Sequence, residues 1–140
     1  MNEAELIKHH EGLRLRPYRC TAGRLTIGYG HNLEDNGISR EQAEMLLADD
    51  IYECRQSLQH NLLFWPELDK VRQAVLVDMC FNLGWPRLSR FKKMLNALAL
   101  KDFGSAAAEM MDSRWAKQVP RRAARLVRMM STGQWPENLG

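Results

Sequence analysis

The chain has 140 residues and a mass of 16.2 kDa, which is enough for one domain or for two closely joined lobes. Hydrophobic residues make up 45% of it and charged residues 26%, proportions that are typical of a globular protein and exclude a disordered one. The 20 Lys and Arg residues against 17 Asp and Glu leave a net charge of +3. That excess suits an anionic polymer as partner, but it is too small to indicate nucleic acid.

Targeting and redox signals are few. No apolar run approaches the roughly 18 residues that a membrane span needs, and the acidic residues near the start do not fit a secretory signal. The three cysteines, Cys20, Cys54 and Cys80, form no Cys-x-x-Cys pair, which disfavours a disulfide scaffold and a four-cysteine zinc site. We therefore expect a soluble protein without a membrane anchor, made in a reducing compartment.

The first part of the chain predicts a helix, a hairpin and a long helix. Asn2 begins a near capping box for a helix over residues 2–11. Apolar residues interleaved with Arg, Thr and Gly over residues 13–29 predict a β-hairpin. Ser39 begins a second capping box, and the apolar spacing of three and four after it predicts an amphipathic helix over residues 39–58.

The rest of the chain predicts helices only. The helix over residues 69–83 is apolar on most of its sides, which is typical of a buried helix. Further helices are predicted over residues 89–100, 102–111 and 120–133 from their N-terminal residues and from the glycine that ends the last one. The fold class is therefore α+β, with a small sheet near the N-terminus and a helical remainder.

A dense motif lies between Glu11 and His31. Glu11 is followed after eight residues by Cys20, after five more by Thr26, and then by Ile-Gly-Tyr-Gly-His. This frame resembles the motif of the phage T4-type lysozymes, a family of endolysins that cut bacterial cell walls, in which Asp stands at the position of Cys20. Residues 71–84 also resemble the family's buried central helix, and residues 113–135 resemble its C-terminal Ser-Arg-Trp to Thr-Gly-x-Trp segment.

The resemblance implies a lysozyme-like α+β fold in a single domain over residues 1–140. A small β lobe over residues 12–38 would carry the active-site hairpin. The helix over residues 39–58 would connect it to a helical lobe, formed by residues 59–140 together with residues 1–11.

The resemblance also implies roles for three residues. Glycoside hydrolysis needs a carboxylic acid that protonates the departing oxygen, and Glu11 matches that acid. No Asp or Glu lies between Gly12 and Leu33, so the hairpin supplies no second carboxylate, and Cys20 matches its place as base or nucleophile. Nearby arginines could lower the pKa of the thiol. Thr26 matches the residue that holds the attacking water. The structural alternatives are a solvated Glu, an inert half-buried thiol and an ordinary strand residue.

Other positions match the family's substrate cleft. His31 matches a histidine that pairs with an Asp on the long helix, where Asp50 stands, and Arg122 matches an arginine that pairs with the catalytic Glu. A zinc site is disfavoured because the histidines and Cys20 lack converging ligand spacing. Trp115 and Trp135 could stack on sugars, but we expect both in the core. The candidate substrate-binding residues are His31, Phe81, Asn82, Arg114, Gln118 and Arg122, with Arg121 and Arg125 as further donors.

The activity that these matches imply is that of a muramidase, which hydrolyses the β-1,4 bond between N-acetylmuramic acid and N-acetylglucosamine in peptidoglycan. No cofactor or metal is implied, and no nucleic acid. The enzyme would be a monomer that accumulates in the bacterial cytoplasm and reaches the wall through a lesion made by a phage holin. The alternatives are a Cys–His peptidoglycan peptidase or amidase that uses Cys20 and His31, and a catalytically weak wall-binding module.

Overall fold

The computed structural model describes residues 1–139. The chain consists of two compact units, Met1–Leu47 and Ala48–Gly140. The boundary falls inside one long helix. The prediction that residues 1–11 belong to the helical lobe stays a prediction. The first unit contains α1 (Glu3–Glu11), β1 (Arg14–Arg19), β2 (Leu25–Gly28), β3 (His31–Asn32), the short α2 (Leu33–Asn36) and the start of α3 (Arg40–Asn61).

The second unit is helical throughout its described part. It begins with the end of α3. The length of α3 confirms the long helix that the apolar spacing predicted, but Leu58 is the one residue of the helix that is buried. Its other elements are a 3₁₀ turn (Trp65–Glu67), α4 (Lys70–Leu83), α5 (Trp85–Leu88), α6 (Lys92–Ala99), α7 (Phe103–Met111), α8 (Arg114–Gln118) and α9 (Pro120–Thr132). The α+β class is therefore confirmed.

Side-chain caps fix where α1 and α3 begin. The Glu5 carboxylate accepts from the Asn2 backbone at 2.9 Å, and the Asn2 side chain accepts from the Glu5 N–H at 2.9 Å, so the capping box is complete. Ser39 and Gln42 form the same reciprocal pair at the start of α3. α1 ends at Gly12, whose φ of +72° favours glycine.

The sheet is antiparallel with the order β1-β2-β3. The hairpin of β1 and β2 confirms the prediction, and its register pairs Tyr18 with Thr26. The pairing is irregular between Arg14 and Tyr18, where Pro17 has no N–H to donate; an edge strand tolerates such a residue. The two-residue strand β3 was not predicted, because it is too short to show an alternating pattern.

The core of the second unit surrounds α4. Six of the 14 residues of α4 are buried, which confirms the buried helix that its apolar composition predicted. Trp115 is also in the core as expected, with 4% of its surface exposed. The expectation that Trp135 is a core residue is wrong, since 61% of its surface is exposed. Among residues 1–47 only Thr26 is buried, because so few residues cannot enclose an apolar core.

Two short helices of the second unit, α5 and α8, were not predicted. Each spans at most five residues, which is too short for an apolar period to be recognised. The helix predicted from Ser89 begins later, at Lys92, because α5 and a turn occupy the preceding residues. Within residues 1–139, no helix combines the length and the apolar character that crossing a membrane requires.

The Arg72 side chain joins α4 to the end of α9. Its Nε donates to the Met130 carbonyl at 2.7 Å and its Nη2 to the Ser131 carbonyl at 3.3 Å, so it satisfies carbonyls that the helix end leaves free. Its Nη1 pairs with Asp69 at 3.1 Å, and the guanidinium lies 3.5 Å from the centre of the Phe103 ring. We call this arrangement the Arg72 clamp.

We expect Arg72→Ala to destabilise the protein by about 2 kcal/mol, because hydrogen bonds from a charged donor are lost and the partly buried Met130 carbonyl is left without its partner. The measurement is urea unfolding followed by circular dichroism. Arg55→Ala is the matched control, since Arg55 is exposed on α3 and makes no side-chain hydrogen bond within residues 1–139. Its stability should stay within about 0.5 kcal/mol of the wild type. Equal losses in both variants would contradict the role of the clamp.

Candidate active site

Glu11 is the last residue of α1, and its carboxylate lies against the backbone of Gly30. A Cβ atom added to Gly30 would lie 2.5 Å from Glu11 Oε2 and 2.6 Å from its Cδ, distances that real Cβ atoms do not show. Gly30 also has a φ of +72°, in the left-handed region that other residues rarely adopt. Two independent constraints therefore favour glycine at this position: the left-handed backbone of the turn from β2 to β3, and the close approach of the candidate acid.

Cys20 lies at the turn between β1 and β2. Its backbone N–H donates to the Arg24 carbonyl at 3.0 Å, and its carbonyl accepts from the Gly23 N–H at 2.8 Å. The residue is half-buried, and the pKa of its thiol is lowered from the ordinary value by hydrogen bonds from the backbone N–H groups of Arg24 and Ala22, against a smaller opposing effect of desolvation. This environment favours the thiolate, which is the reactive form.

Thr26 is buried, with 3% of its surface exposed. Its hydroxyl donates to the Arg24 carbonyl at 2.8 Å, so its single hydrogen is used within the hairpin. The oxygen can still accept a hydrogen bond from a water or other donor. Because the Arg24 carbonyl also accepts from the Cys20 backbone, one carbonyl holds the two candidate catalytic residues of the hairpin in register.

An ion-pair cluster on the sheet was missed by the sequence reasoning. Glu34 accepts from Arg24 at 3.0 Å, from Arg19 at 3.2 Å and from the Leu25 N–H at 3.3 Å. These bonds, first among them the one from Arg24, lower the pKa of the Glu34 carboxyl. Both guanidinium groups are thus engaged with Glu34, and the lowered pKa of Cys20 comes mainly from backbone donors rather than from their charge.

His31 is placed in β3, where it pairs with Ile27 of β2. Its Nε2 donates to the Gly37 carbonyl at 2.7 Å, which orients the ring by the loop before α3. No hydrogen bond joins Cys20 and His31 within residues 1–139. The predicted ion pair of His31 with Asp50 stays a prediction.

Arg114 and Gln118 line one cavity of about 690 Å³ in the second unit. Trp115, between them on α8, lies on the same wall, and its Nε1 donates to Asn82 Oδ1 at 2.8 Å. Two predicted substrate-binding residues, Arg114 and Gln118, therefore line this cavity, and a third, Asn82, is hydrogen-bonded to a residue of its wall. The sequence reasoning missed further cations lining this cavity, although they are crowded into seven residues of the chain: Arg87, Arg90, Lys92 and Lys93.

Phe81 and Arg122 lie apart from that cavity. Phe81 lines a separate cavity of about 360 Å³ together with Cys54 and Cys80. Burial, with a contribution from Cys54, raises the pKa of Cys80 to about 12, so this thiol stays protonated. Arg122 Nε donates to the Asp78 carboxylate at 2.6 Å, an ion pair of α9 with α4 that the sequence reasoning did not include. The predicted pairing of Arg122 with Glu11 stays a prediction.

The small antiparallel sheet, the long helix and the helical remainder define an α+β protein of the lysozyme type. The family described as phage lysozyme matches residues 8–130. "Probable T4-type lysozyme 2" of Dictyostelium discoideum is 27% identical over 95% of each chain. The "Endolysin" of Acyrthosiphon pisum secondary endosymbiont phage 1 is 37% identical over 80% of this chain and 75% of its own. The "Endolysin" of Bacillus phage B103 is 34% identical over 80% of this chain and 43% of its own.

The chain therefore belongs to the phage lysozyme family. Its activity is that of a lysozyme, a glycosidase that degrades peptidoglycan. The resemblance seen in the sequence is confirmed, and nothing in the comparisons favours a peptidase, an amidase or a binding module.

The approach of Glu11 to Gly30 generates a test with a matched control. Gly30→Ala and Gly28→Ala both place a Cβ at a φ of +72°, a strain of about 1–2 kcal/mol, but only at Gly30 does the Cβ meet another side chain. Because Glu11 is exposed and can rotate away, we expect similar losses of thermal stability and a much larger loss of wall-lysing activity in Gly30→Ala. Equal activity of the two variants would show that the contact does not position the carboxylate.

Proposed function

We propose that the enzyme hydrolyses the β-1,4 bond between N-acetylmuramic acid and N-acetylglucosamine, with Glu11 as the general acid. The observation that carries this proposal is the seating of the Glu11 carboxylate on Gly30, at the end of a helix and beside the turn that follows β2. That contact places the carboxylate beside the turn between β2 and β3, and a general acid needs such a defined position relative to the bond that it protonates.

The reaction needs two proton-handling steps. Glu11 gives its proton to the glycosidic oxygen as the C1–O bond breaks, and the sugar develops positive charge at C1. A water molecule then adds to C1 and loses a proton, and the Thr26 oxygen accepts a hydrogen bond from that water. The burial of Thr26 and its bond to the Arg24 carbonyl support a fixed role of this kind, because both restrict the rotation of the hydroxyl.

Cys20 acts at the second step, in one of two ways. As a base, the thiolate takes the proton from the attacking water, and the configuration at C1 inverts. As a nucleophile, it forms a C1–S bond that water later replaces, and the configuration is retained. Its half-buried position at the hairpin turn and its lowered pKa support either role, since both need the thiolate.

Substrate contacts are proposed for the second unit as well. Arg114 and Gln118 would donate to carboxylates and amides of the wall from the large cavity, and the bond from Trp115 would orient Asn82 beside them. His31, Phe81 and Arg122 are further proposed contacts. We also propose that the enzyme is a monomer without a cofactor, made in the host cytoplasm and dependent on a holin for access to the wall.

Glu11→Gln tests the acid. The change keeps the size of the side chain and removes the transferable proton, so wall lysis should fall by about 10²–10⁴-fold while the melting temperature stays unchanged. Release of new reducing ends from purified peptidoglycan is the measurement, and release of free amines is measured in parallel. Near-normal lysis by the Gln variant would show that Glu11 is not the acid, and free amines in place of reducing ends would indicate a peptidase or amidase.

Cys20→Asp and Cys20→Ala test the thiol in a Cys54→Ala background, which leaves Cys80 as the other, buried and protonated, thiol. We expect Cys20→Asp to stay active and Cys20→Ala to lose most activity. Iodoacetamide should inactivate the parent but not Cys20→Asp, and half-maximal alkylation should occur below the ordinary thiol pKa of about 8.5 because the thiolate is favoured.

The pH dependence of activity gives an independent check. A required thiolate forms only as the pH rises through the pKa of Cys20, whereas the carboxylate of Cys20→Asp is present from about pH 4 upward. The acidic limb of the activity profile should therefore move to lower pH in the Asp variant. The anomer formed first separates base from nucleophile. A fully active, alkylation-resistant Cys20→Ala enzyme would show that the thiol is structural.

A further inference from the structure

Trp135 is exposed in a protein that buries its other described indoles more deeply. Trp65 and Trp115 expose 6% and 4% of their surface, whereas Trp135 exposes 61%. An indole combines a flat apolar face with one polar N–H, and a large exposed aromatic beside polar groups is typical of a binding surface. The proposed catalytic steps do not use this residue.

The position of Trp135 is fixed by the end of α9. Gly133 adopts the left-handed conformation with φ 69° and ψ 22°, and its N–H donates back into the helix at 2.8 Å. The Gln134 N–H then donates to the Thr132 hydroxyl at 3.2 Å. The Arg72 clamp holds the carbonyls of the last turn of α9. Trp135 therefore follows an anchored helix end.

A groove of about 410 Å³ lies beside this indole. Its polar lining includes two guanidinium groups and two carboxamides, with Glu137 as its one carboxylate. Carboxamides and guanidinium groups donate to the hydroxyl, acetamido and carboxylate oxygens that an acidic amino sugar presents, while an indole face packs on the C–H face of a pyranose ring. The lining residues that the argument uses are Arg125, Arg128, Gln134, Trp135 and Asn138.

The arginines of α9 form a row that ends at this groove. α9 contains four arginines and no acidic residue, and of the four only Arg122 forms an ion pair within residues 1–139. Arg121, Arg125 and Arg128 are spaced by four and three residues, so they share one face of the helix over roughly 10 Å. A row of free guanidinium groups that ends at an exposed indole complements an acidic polymer of sugars.

We propose that the groove formed by Trp135, Arg125, Arg128 and the neighbouring carboxamides is a second, non-catalytic binding site for a peptidoglycan glycan strand. The indole packs on an N-acetylated sugar ring, and the two arginines bind carboxylates of the strand. This site rests on the proposed function only in its choice of ligand. Its effect is to hold the enzyme on the insoluble wall between cleavage events.

The lining favours a glycan over a membrane or a protein partner. A membrane-inserted surface and the core of a protein interface each bury an apolar patch, whereas here a single indole is set among charged and amide groups. The exposed face of the Trp135 indole and the planar guanidinium and carboxamide groups instead match the C–H faces and hydroxyl edges of a sugar ring.

Binding is tested in a Glu11→Gln parent, so that the wall is not degraded during the measurement. Sedimentation with purified peptidoglycan sacculi should show about tenfold weaker binding for Trp135→Ala, and little change for Trp135→Phe, which keeps an aromatic face. Leu100→Ala is the matched control, because Leu100 is 81% exposed elsewhere in the second unit. Arg125→Ala with Arg128→Ala should weaken binding and reduce its dependence on salt, relative to Arg55→Ala.

A second set of measurements separates this site from the catalytic one. With Glu11 intact, Trp135→Ala should cut a short soluble muropeptide oligosaccharide at the parental rate and sacculi several-fold more slowly. The change in tryptophan fluorescence on addition of that oligosaccharide to the Glu11→Gln protein should be smaller in its Trp135→Phe variant, which keeps Trp115 in the other cavity and lacks the indole of the groove. This comparison tests the site even if Trp135→Ala fails to fold, and an equal change in both proteins would contradict it.

Three results would overturn the proposal. The first is unchanged sacculus binding by a folded Trp135→Ala. The second is that Trp135→Ala loses binding to anionic phospholipid vesicles but keeps its binding to sacculi, and the third is that it loses cleavage activity equally on soluble and insoluble substrates. Failure of the proposed function is a different outcome, since it appears as unchanged cleavage by Glu11→Gln, whereas failure of this site appears as unchanged sacculus binding by Trp135→Ala.

Discussion

The contact between the Glu11 carboxylate and the Gly30 backbone links the end of α1 to the turn after β2. A Cβ at Gly30 would displace the exposed Glu11 side chain from this position, and β3 and the short helix α2 follow the same turn. Gly30 is also in the left-handed region, which favours glycine there independently of the contact. One close approach thus brings together a helix end, a turn and a candidate catalytic group.

The hairpin places a thiol, Cys20, at the position to which the family resemblance assigns a carboxylate. A thiol is protonated at neutral pH in its ordinary state, so it needs a polarising environment to serve as base or nucleophile. Here backbone N–H groups of the turn supply that environment, while the nearby arginines are bound to Glu34. The favoured thiolate therefore depends on the conformation of the turn and not on a neighbouring cation.

The second unit is organised by polar groups that join its helices as much as by its core. Arg72 and Asp78, both on α4, each bind α9, the first at carbonyls and the second at a guanidinium. Asn82, at the end of α4, binds Trp115 on α8. These bonds connect the buried helix to the elements that carry the proposed wall-binding residues, so the positions of those residues depend on α4.

Elements whose signals are local were predictable from the order of the amino acids alone. Capping boxes, apolar periods of three and four, and the spacing from Glu11 to His31 are properties of short segments, and they sufficed for the α+β class, the long helix, the buried helix and the family. The short elements β3, α5 and α8 escaped because they contain too few residues to show a period. Only the tertiary structure decided which side chains meet: Glu34 with Arg19 and Arg24, Arg122 with Asp78, and Trp135 with solvent rather than with the core. Such contacts join residues up to dozens of positions apart, and their choice depends on packing, which no local pattern records.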